Sequence, residues 1–473
     1  MSNGCTWPWP KFKEGAVKTW HEDQDNAVYS MYIADVDKDG KKEILLGGTS
    51  CSFVLGKSAP LELQGRKVDG GELRIIQFEK NTLTLKTRVN WPGIGWARVN
   101  SVFADDIDGD GRIEIIAAGS TTKPVKDRTG TIQYITKAQA LVYNWDGTRL
   151  ALRANRIWVL GPFPNARINS VWAADVDKDG KKEIVVAGSA WTMGKEERAF
   201  FEVYNGGPKP FSQRKGTQVW HKSRGHTEVK AVVAKDIDTD NNIEIVTATS
   251  MRDKYWKNIG IVKGNAELIA WIAKQSDKGL IFVEKARKEW QGTNAHLTEP
   301  RSLWIGDADD EKGIEIVAGG CHYRGNLYNP DWIRANVRMW RLLGNKFNEV
   351  NKLNIIFATP SGHYWLTSCN SVYAADIDRD TLKEVLMCGE VGLKERTLLG
   401  YMGAMNPRKN FTTVPHADLY ERFSTFVFNK GRDLDTYTNG IAAADLDGDK
   451  RVETIVSGYY GWYNRGVFVA VMR

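Results

Sequence analysis

The chain has 473 residues, 42% of them hydrophobic and 11% aromatic, with a formal net charge of +7. That length allows two or three ordinary domains or one large repeat-built one. No run approaches the roughly 18 uncharged apolar residues of a membrane span; there is no CxxC pair for zinc or iron–sulfur, no GxxxxGK[ST] phosphate loop and no GxSxG nucleophile motif.

In chain order, the N-terminus MSNGCTWPWPKFKEG has no charged region followed by an apolar core, so no secretory signal is expected in this chain. Residues Ala16–Glu22 (AVKTWHE) read as a strand. Then one sentence recurs: SMYIADVDKDGKKEILLGG from Ser30, SVFADDIDGDGRIEIIAAG from Ser101 and SVWAADVDKDGKKEIVVAG from Ser170. Related copies begin at Ala231, Ser302, Ser371 and Gly440. The first aspartates of the acidic loops are Asp35, Asp106, Asp175, Asp236, Asp307, Asp376 and Asp445, spaced 71, 69, 61, 71, 69 and 69 residues apart. Repeats at such a period build one continuous fold, so residues 1–473 are read as a single domain.

Each unit has the same internal order. A short strand such as Val171–Ala174 enters the acidic loop, and a β-branched strand such as Ile184–Ala187 leaves it. A third strand (Phe200–Tyr204 or Gln139–Tyr143) and a Trp-bearing fourth (Trp158, Trp220, Trp290) follow. Four short antiparallel strands per unit without helices predict an all-β, seven-bladed β-propeller. The last unit ends after Gly466–Met472 and lacks a fourth strand. The N-terminal strand resembles TQVWHK at 217–222 and is expected to pair onto that last blade, removing an open edge.

The acidic loops span 35–43, 106–114, 175–183, 236–244, 307–315, 376–384 and 445–453, with acids at positions 1, 3, 5 and 9 and a carbonyl at position 7. The candidate metal ligands are therefore Asp35, Asp37, Asp39, Lys41 and Glu43; Asp106, Asp108, Asp110, Arg112 and Glu114; and Asp175, Asp177, Asp179, Lys181 and Glu183. The remaining sets are Asp236, Asp238, Asp240, Asn242 and Glu244; Asp307, Asp309, Glu311 and Glu315; Asp376, Asp378, Asp380, Leu382 and Glu384; and Asp445, Asp447, Asp449, Arg451 and Glu453. Hard oxygen ligands in this alternation suit Ca²⁺, about five to seven structural ions, and such clusters without a counter-ion would repel themselves. Gly40, Gly111 and Gly180 provide the turn residue that tolerates positive φ, which ranks the first three loops highest. Glu311 and Lys312 rank the fifth lowest. Filling all seven loops would raise the formal charge from +7 to +21, making acidic polymers plausible partners.

These loops, DxDxDGxxE after an apolar strand, resemble the FG-GAP or VCBS-type repeat family, across all seven units. The resemblance implies calcium loops on one face and ligand-contacting loops on the other, and does not choose an activity. The opposite-face loops offer candidate ligand-binding residues Trp96, Arg98, Arg167, Trp191, His226, His322, Tyr364, Trp365, Tyr460 and Trp462. His296, His363, Tyr323 and Arg324 are candidate catalytic groups, His or Tyr as a base and Arg for a substrate carboxylate. The structural alternative is that these aromatics pack the surface and the histidines only make hydrogen bonds. The recurrent Asn100–Ser101, Asn169–Ser170 and Asn370–Ser371 read as blade-joining turns.

Of five cysteines, Cys321 and Cys369 should be brought together, Cys5 is placed to approach Cys51, and Cys388 should be buried and free. Two disulfides would fit an extracellular or cell-surface protein, five thiols a cytosolic one. The expected function is a calcium-stabilised propeller binding a glycan, preferably acidic, through the non-calcium face. The alternatives are a polysaccharide lyase acting on uronic acids and an adhesion scaffold with a protein partner; nucleic acid is not favoured.

Overall fold

The computed structural model describes residues 14–20, 26–54, 61–65, 67–91, 95–193, 195–221, 225–253, 262–309, 311–326, 329–355, 364–379, 381, 383–393, 398–405, 435–461 and 466–472. It is all-β. Among the described residues there is one 3-10 turn (Leu61–Leu63) and no α-helix, hence none long and apolar enough to cross a membrane.

The strands fall into consecutive antiparallel units. The first holds β2 (Ala27–Ala34), β3 (Glu43–Val54), β4 (Lys67–Glu79) and β5 (Thr82–Asn90). The second holds β6 (Trp96–Asp105), β7 (Glu114–Lys126), β8 (Ile132–Trp145) and β9 (Leu150–Trp158). The third is β10 (Asn165–Ala174), β11 (Glu183–Trp191), β12 (Glu197–Asn205) and β13 (Arg214–Trp220); the fourth is β14 (Gly225–Lys235), β15 (Glu244–Asp253), β16 (Gly264–Ser276) and β17 (Gly279–Trp290). The fifth is β18 (Leu297–Gly306), β19 (Glu315–Asn326), β20 (Asn329–Leu343) and β21 (Lys346–Ile355). The sixth contains β22 (Tyr364–Thr367), β23 (Ser371–Ala375), β24 (Glu384–Leu393) and β25 (Leu398–Met405). The last is β26 (Thr436–Ala444), β27 (Glu453–Tyr460) and β28 (Gly466–Met472), and β1 (Glu14–Trp20) completes it by pairing antiparallel with β28, Val17 opposite Ala470.

Burial follows strand position. The second strand of a unit is apolar throughout, as in EIVVAGSA of β11, because neighbouring units cover both its faces. The fourth strand alternates, as in β5, because one side meets water. The core consists of layers between consecutive units: Val99 and Val102 pack with Leu45 and Leu73, and Phe201 and Val203 with Ile269 and Trp271. The last such layer joins Ile455 and Val469 back to Ile44 and Leu46. First strands pack in sequence, β2 on β6, β6 on β10, β10 on β14, β14 on β18, β18 on β23, β23 on β26, and β26 returns to β2.

Small polar residues stitch this cycle. Ser30 Oγ accepts Val102 N–H at 2.9 Å, Ser170 Oγ accepts Val232 N–H at 3.0 Å, and Ser302 Oγ accepts Val372 N–H at 3.2 Å. Asn100 Nδ2 donates to Ile168 O at 2.7 Å, Asn169 to Val229 O at 2.7 Å and Asn439 to Val28 O at 2.7 Å.

Two bulges recur in the units. A β-bulge inserts one residue and re-aims its side chain. On the first strand the extra residue is Tyr29, Asn100, Asn169, Lys230, Arg301 or Asn439. A glycine commonly faces it, because a Cβ on Gly119 would lie 1.9 Å from the Arg98 carbonyl oxygen. On the fourth strand the extra residue is Lys86, Arg153, Lys215, Lys285 or Val350, and Gly15 where β1 serves as fourth strand.

The Cys321 and Cys369 segments do meet, Cys369 N donating to Gly320 O at 3.2 Å, but both thiols are free and buried, as is Cys388. Burial pushes the Cys321 thiol up to about 11 and Cys369 to about 12, which keeps them protonated and inert. Cys5 lies outside the described residues, as does the side chain of Cys51.

Candidate functional sites at the two ends of the strands

The acidic loops share one backbone design. In every unit the glutamate at position 9 turns one oxygen back on the loop: Glu43 Oε2 accepts Val36 N–H at 3.0 Å, and Glu315 Oε2 accepts Ala308 N–H at 2.8 Å. The first aspartate accepts the N–H of the turn residue, from Gly40 to Asp35 at 3.0 Å, from Gly111 to Asp106 at 2.9 Å and from Gly180 to Asp175 at 3.0 Å. Thr381 and Lys450 make the same bond to Asp376 and Asp445, at 3.1 and 2.9 Å, with φ of 73° and 65°. Glycine is thus not required for the turn, and the ranking by glycine does not carry into the geometry. Asp380 and Leu382 lie outside the described residues.

These bonds leave the other carboxylate oxygens facing one another. Ligand atoms of Asp35, Asp37 and Asp39, of Asp106, Asp108 and Glu114, of Asp175, Asp177 and Glu183, of Asp236, Asp238 and Glu244, and of Asp307, Asp309 and Glu315 lie within 4.8 Å of one another in each set. Several clusters could therefore hold a metal. The donors are hard oxygens, and Asp35 Oδ1 and Glu43 Oε1 are buried without a hydrogen-bond partner, as are Asp175 Oδ1 and Asp236 Oδ1; both features fit Ca²⁺. Burial first, then Asp37, Asp39 and Asp35, pushes the Glu43 carboxyl up to about 7 despite the Val36 N–H.

A counter-ion argument alone does not demand a metal in every loop, because the fold supplies cations of its own. Arg153 reaches Asp108 at 2.9 Å and Glu114 at 2.8 Å. Lys215 reaches Asp177, Asp179 and Glu183 at 2.6, 3.0 and 2.8 Å, and Lys285 reaches Asp238 and Glu244 at 2.7 and 2.8 Å. In the fifth unit, where the bulge residue is Val350, Arg341 of β20 takes the place, 3.0 Å from Asp309 and 2.7 Å from Glu315.

At the opposite strand ends lies a cavity of about 760 Å³, lined among others by Trp96, Arg98, Asn100, Tyr134, Arg167, Asn169, Trp191, Glu228, Lys230 and Arg252. The strand β6 spans the distance: Trp96 begins it in the cavity and Asp105 ends it beside the acidic loop, about 30 Å away at strand rise. Four of the sequence-derived ligand residues, Trp96, Arg98, Arg167 and Trp191, converge on this cavity. Trp96 and Tyr134 meet edge to face at 5.4 Å, and the Arg167 guanidinium lies 5.3 Å over Trp191.

The floor is a charged lattice. Arg167 bonds Glu197 at 3.0 Å and Glu228 at 2.7 Å; Lys230 bonds Glu228 at 2.7 Å; Arg252 bonds Glu299 at 2.5 Å. Burial works against the Glu228 carboxylate, but Lys230, Arg167 and Arg252 outweigh it and hold its carboxyl well below the usual range. The lining cations Arg98, Arg167, Lys230 and Arg252 are set against Asp69 and Glu228 of the lining and Glu197 and Glu299 of the lattice, four charges of each sign, and Arg98 takes part in none of these four lattice pairs. His226 stands beside this lattice, Nδ1 3.3 Å from Glu197.

The proposed catalytic group is placed differently. Tyr323 is half-buried with its hydroxyl bonded by Arg301 at 2.7 Å, and burial pushes its phenol far up. His296 Nδ1 accepts Gly325 N–H at 3.1 Å, and Arg324 faces outward 3.7 Å from Asp331. His322 is 2% exposed, its Nδ1 2.8 Å from Thr298 Oγ1 and its ring against Gly292, so it is a packing residue and not a ligand contact. Tyr460 is half-buried. His363 and Trp462 lie outside the described residues, as do the side chains of Tyr364 and Trp365.

Sequence reasoning passed over Lys230, Glu228, Arg252 and Tyr134. A signal existed for the first. Lys230 and Arg301 stand where the second, third, sixth and seventh units have Asn100, Asn169, Asn370 and Asn439, so two units give up a joining amide for a cation.

No family model matches the chain, and no curated protein does. Among solved structures it is similar to the exotype rhamnogalacturonan lyase YesX, at 13% identity and a TM-score of 0.44 over 96% of this chain and 75% of that one. The rhamnogalacturonan lyase YesW gives 15%, 0.44, 96% and 74%. A Bacillus licheniformis rhamnogalacturonan lyase gives 15% identity and a TM-score of 0.36 over 85% and 77%. At these scores the likeness is one of coarse shape, and the chemistry rests on the cavity.

Proposed function

We propose that the chain is a seven-bladed β-propeller of FG-GAP-like repeats, with calcium held in acidic loops at one end and an anionic glycan bound in the cavity at the other. The observation that carries this reading is the pairing of aromatic rings with the basic side chains Arg98, Arg167, Lys230 and Arg252 on one concave wall. Sugar rings present apolar faces that stack on Trp96 and Tyr134. Uronate carboxylates suit the planar forks of Arg98 and Arg167, and Lys230 offers a point charge beside them. An extracellular or cell-surface setting fits a polysaccharide ligand.

The same wall suits polysaccharide β-elimination, which is the activity proposed. In that reaction a base takes the proton at C5 of a uronate, the C4–O bond breaks, a C4=C5 double bond forms and the leaving oxygen is protonated. Cations holding the carboxylate acidify the C5 proton, the part given to Arg167 and Lys230. An imidazole is a common proton acceptor near neutral pH, and His226, positioned by Glu197, is the group offered here. Tyr323 and His296 remain for substrate contact or support.

The test is incubation with a panel of uronate polymers, including polygalacturonate and rhamnogalacturonan, while following the ultraviolet absorbance of newly formed unsaturated uronate. Rising absorbance that Arg167→Lys slows is the expected result. Binding on a glycan array with no absorbance change would leave a lectin-like protein. The absence of both binding and cleavage would overturn the reading.

A further inference from the structure

The first and third acidic loops are the same nonapeptide, Asp-Val-Asp-Lys-Asp-Gly-Lys-Lys-Glu, at 35–43 and 175–183. Their internal geometry also agrees. Gly40 N and Gly180 N each donate to the first aspartate at 3.0 Å; Lys41 N and Lys181 N donate to the third at 2.8 and 2.9 Å; Glu43 and Glu183 accept from Val36 and Val176 at 3.0 and 2.9 Å. The two differ in which ligand atoms converge, those of Asp35, Asp37 and Asp39 in the first and of Asp175, Asp177 and Glu183 in the third, and in what reaches them from outside the loop.

The difference is the fourth-strand bulge. Lys215 turns its ammonium into the third loop, within 3.0 Å of Asp177, Asp179 and Glu183. The equivalent Lys86 is diverted to Gln77, its Nζ donating to Oε1 at 3.0 Å, and Gln77 sits opposite Glu43 on the neighbouring strand. The first loop is thereby left with Glu43, 0% exposed, and with Glu43 Oε1 and Asp35 Oδ1 both unpartnered, whereas Glu183 Oε1 lies 2.8 Å from Lys215 Nζ.

We propose that the bulge residue sets calcium affinity loop by loop. The first loop is a tight site, and the second to fourth are weakened by a tethered cation that a divalent ion must displace or tolerate. In the fifth loop Arg341 does the same from β20. A unit positive charge held near 3 Å from three carboxylates satisfies much of the attraction that binds the ion, so the identical loops should differ by roughly tenfold or more in Kd. Asp175 Oδ1 and Asp177 Oδ1 keep no partner even with Lys215 in place, which makes the third loop a weak site and not a closed one. The internal cation also lets these loops hold their shape when calcium is scarce. This inference rests on the reading of the loops as calcium sites.

The test is isothermal titration of the EDTA-stripped full chain with CaCl₂. In the wild type, Asp37→Asn should remove one tight site and Asp177→Asn should leave the number of tight sites unchanged. Lys215→Met, with Lys215→Gln as a second variant should the first fold poorly, should add a tight site that Asp177→Asn then removes. Gln77→Leu, which frees Lys86 to enter its own loop, should weaken the first site. If Asp37→Asn and Asp177→Asn weaken the wild-type titration equally, or the Lys215 variants leave it unchanged, the bulge does not set affinity. If the chain takes up no calcium at all, the metal reading fails with it.

Discussion

Ser101 Oγ accepts the backbone N–H of Val171 at 3.1 Å, a bond that runs from the second unit to the third. It repeats with a serine or an alternative along the cycle: Ser371 serves Ile441 N–H at 3.4 Å, while Ala231 and Gly440 have no hydroxyl to offer. Each bond satisfies a donor at a unit boundary that pairing within the sheet does not reach. Ser101→Ala would leave the Val171 N–H short of an acceptor and should lower stability by about 1 kcal/mol. Urea melts of Ser101→Ala and Ser170→Ala would measure it; Lys230, on a boundary already lacking one serine, makes the fourth unit the place where a second loss should hurt most.

The closure between chain ends should matter more. β1 covers the edge of β28, and Ala16 and Trp20 pack on the apolar layer of Val467, Val469 and Val471. Removing residues 1–20 would expose that edge and open the cycle, since an unpaired apolar strand invites intermolecular pairing. The truncated chain is expected to melt at lower temperature and to aggregate, measured by thermal scanning with light scattering. A truncated chain as stable as the full one would mean β28 needs no partner.

Both features were partly legible in the sequence. The repeat and its two apolar strands are periodic, so Val171–Ala174 and Ile184–Ala187 could be placed from pattern alone, and AVKTWHE could be matched to a fourth strand. The bulges could not. A bulge is a one-residue offset between partners, and nothing in LALRANRIW states that Arg153 is the residue left over. The charge pattern of each loop was equally legible, whereas its counter-ion comes from a strand some 40 residues on, brought back only by folding. At the cavity, residues early in first strands were found because Trp96 and Arg167 stand out against the repeat. Glu228 and Arg252 belong to strands whose interiors looked purely structural.

The buried glutamates give the metal-free protein a defined pH response. The carboxyls of Glu43 and Glu114 are pushed up to about 7, in both cases chiefly by burial, against an ordinary value of 4.5. A carboxyl whose pKa is higher in the folded state than in the unfolded chain binds the extra proton when folded. Stability is therefore greatest below about 4.5 on this account, falls as pH rises through the window between 4.5 and 7, and is lowest above it. Other carboxylates paired with arginine, such as Asp110, work the opposite way only near pH 2 to 4. In EDTA the melting temperature should drop between pH 5 and pH 8. Saturating Ca²⁺ should remove most of that drop, because the ion favours the charged carboxylates and adds its own binding free energy to the native state. A flat profile in EDTA would mean that these glutamates are solvated.

The cavity makes the sharpest demand. Arg98 is exposed, with its guanidinium 5.7 Å over Tyr29, and among the described residues no ion pair ties it to a buried carboxylate. Arg98→Ala should therefore remove ligand contact without disturbing the fold. Arg167→Ala is a poorer probe, since it strands Glu197 and Glu228 in a buried setting and lowers stability as well. For an anionic glycan, Arg98→Ala should weaken binding by roughly tenfold, the scale of one charge-assisted contact, and should reduce the dependence of affinity on salt. Trp96→Ala should weaken binding by a similar factor while leaving the salt dependence intact, because stacking on a ring is not screened by ions. Fluorescence titration at two salt concentrations separates the two effects. Equal salt slopes for both variants would mean that Arg98 contacts the ligand through its apolar stem, and that any charge contact is made by Arg167, Lys230 or Arg252.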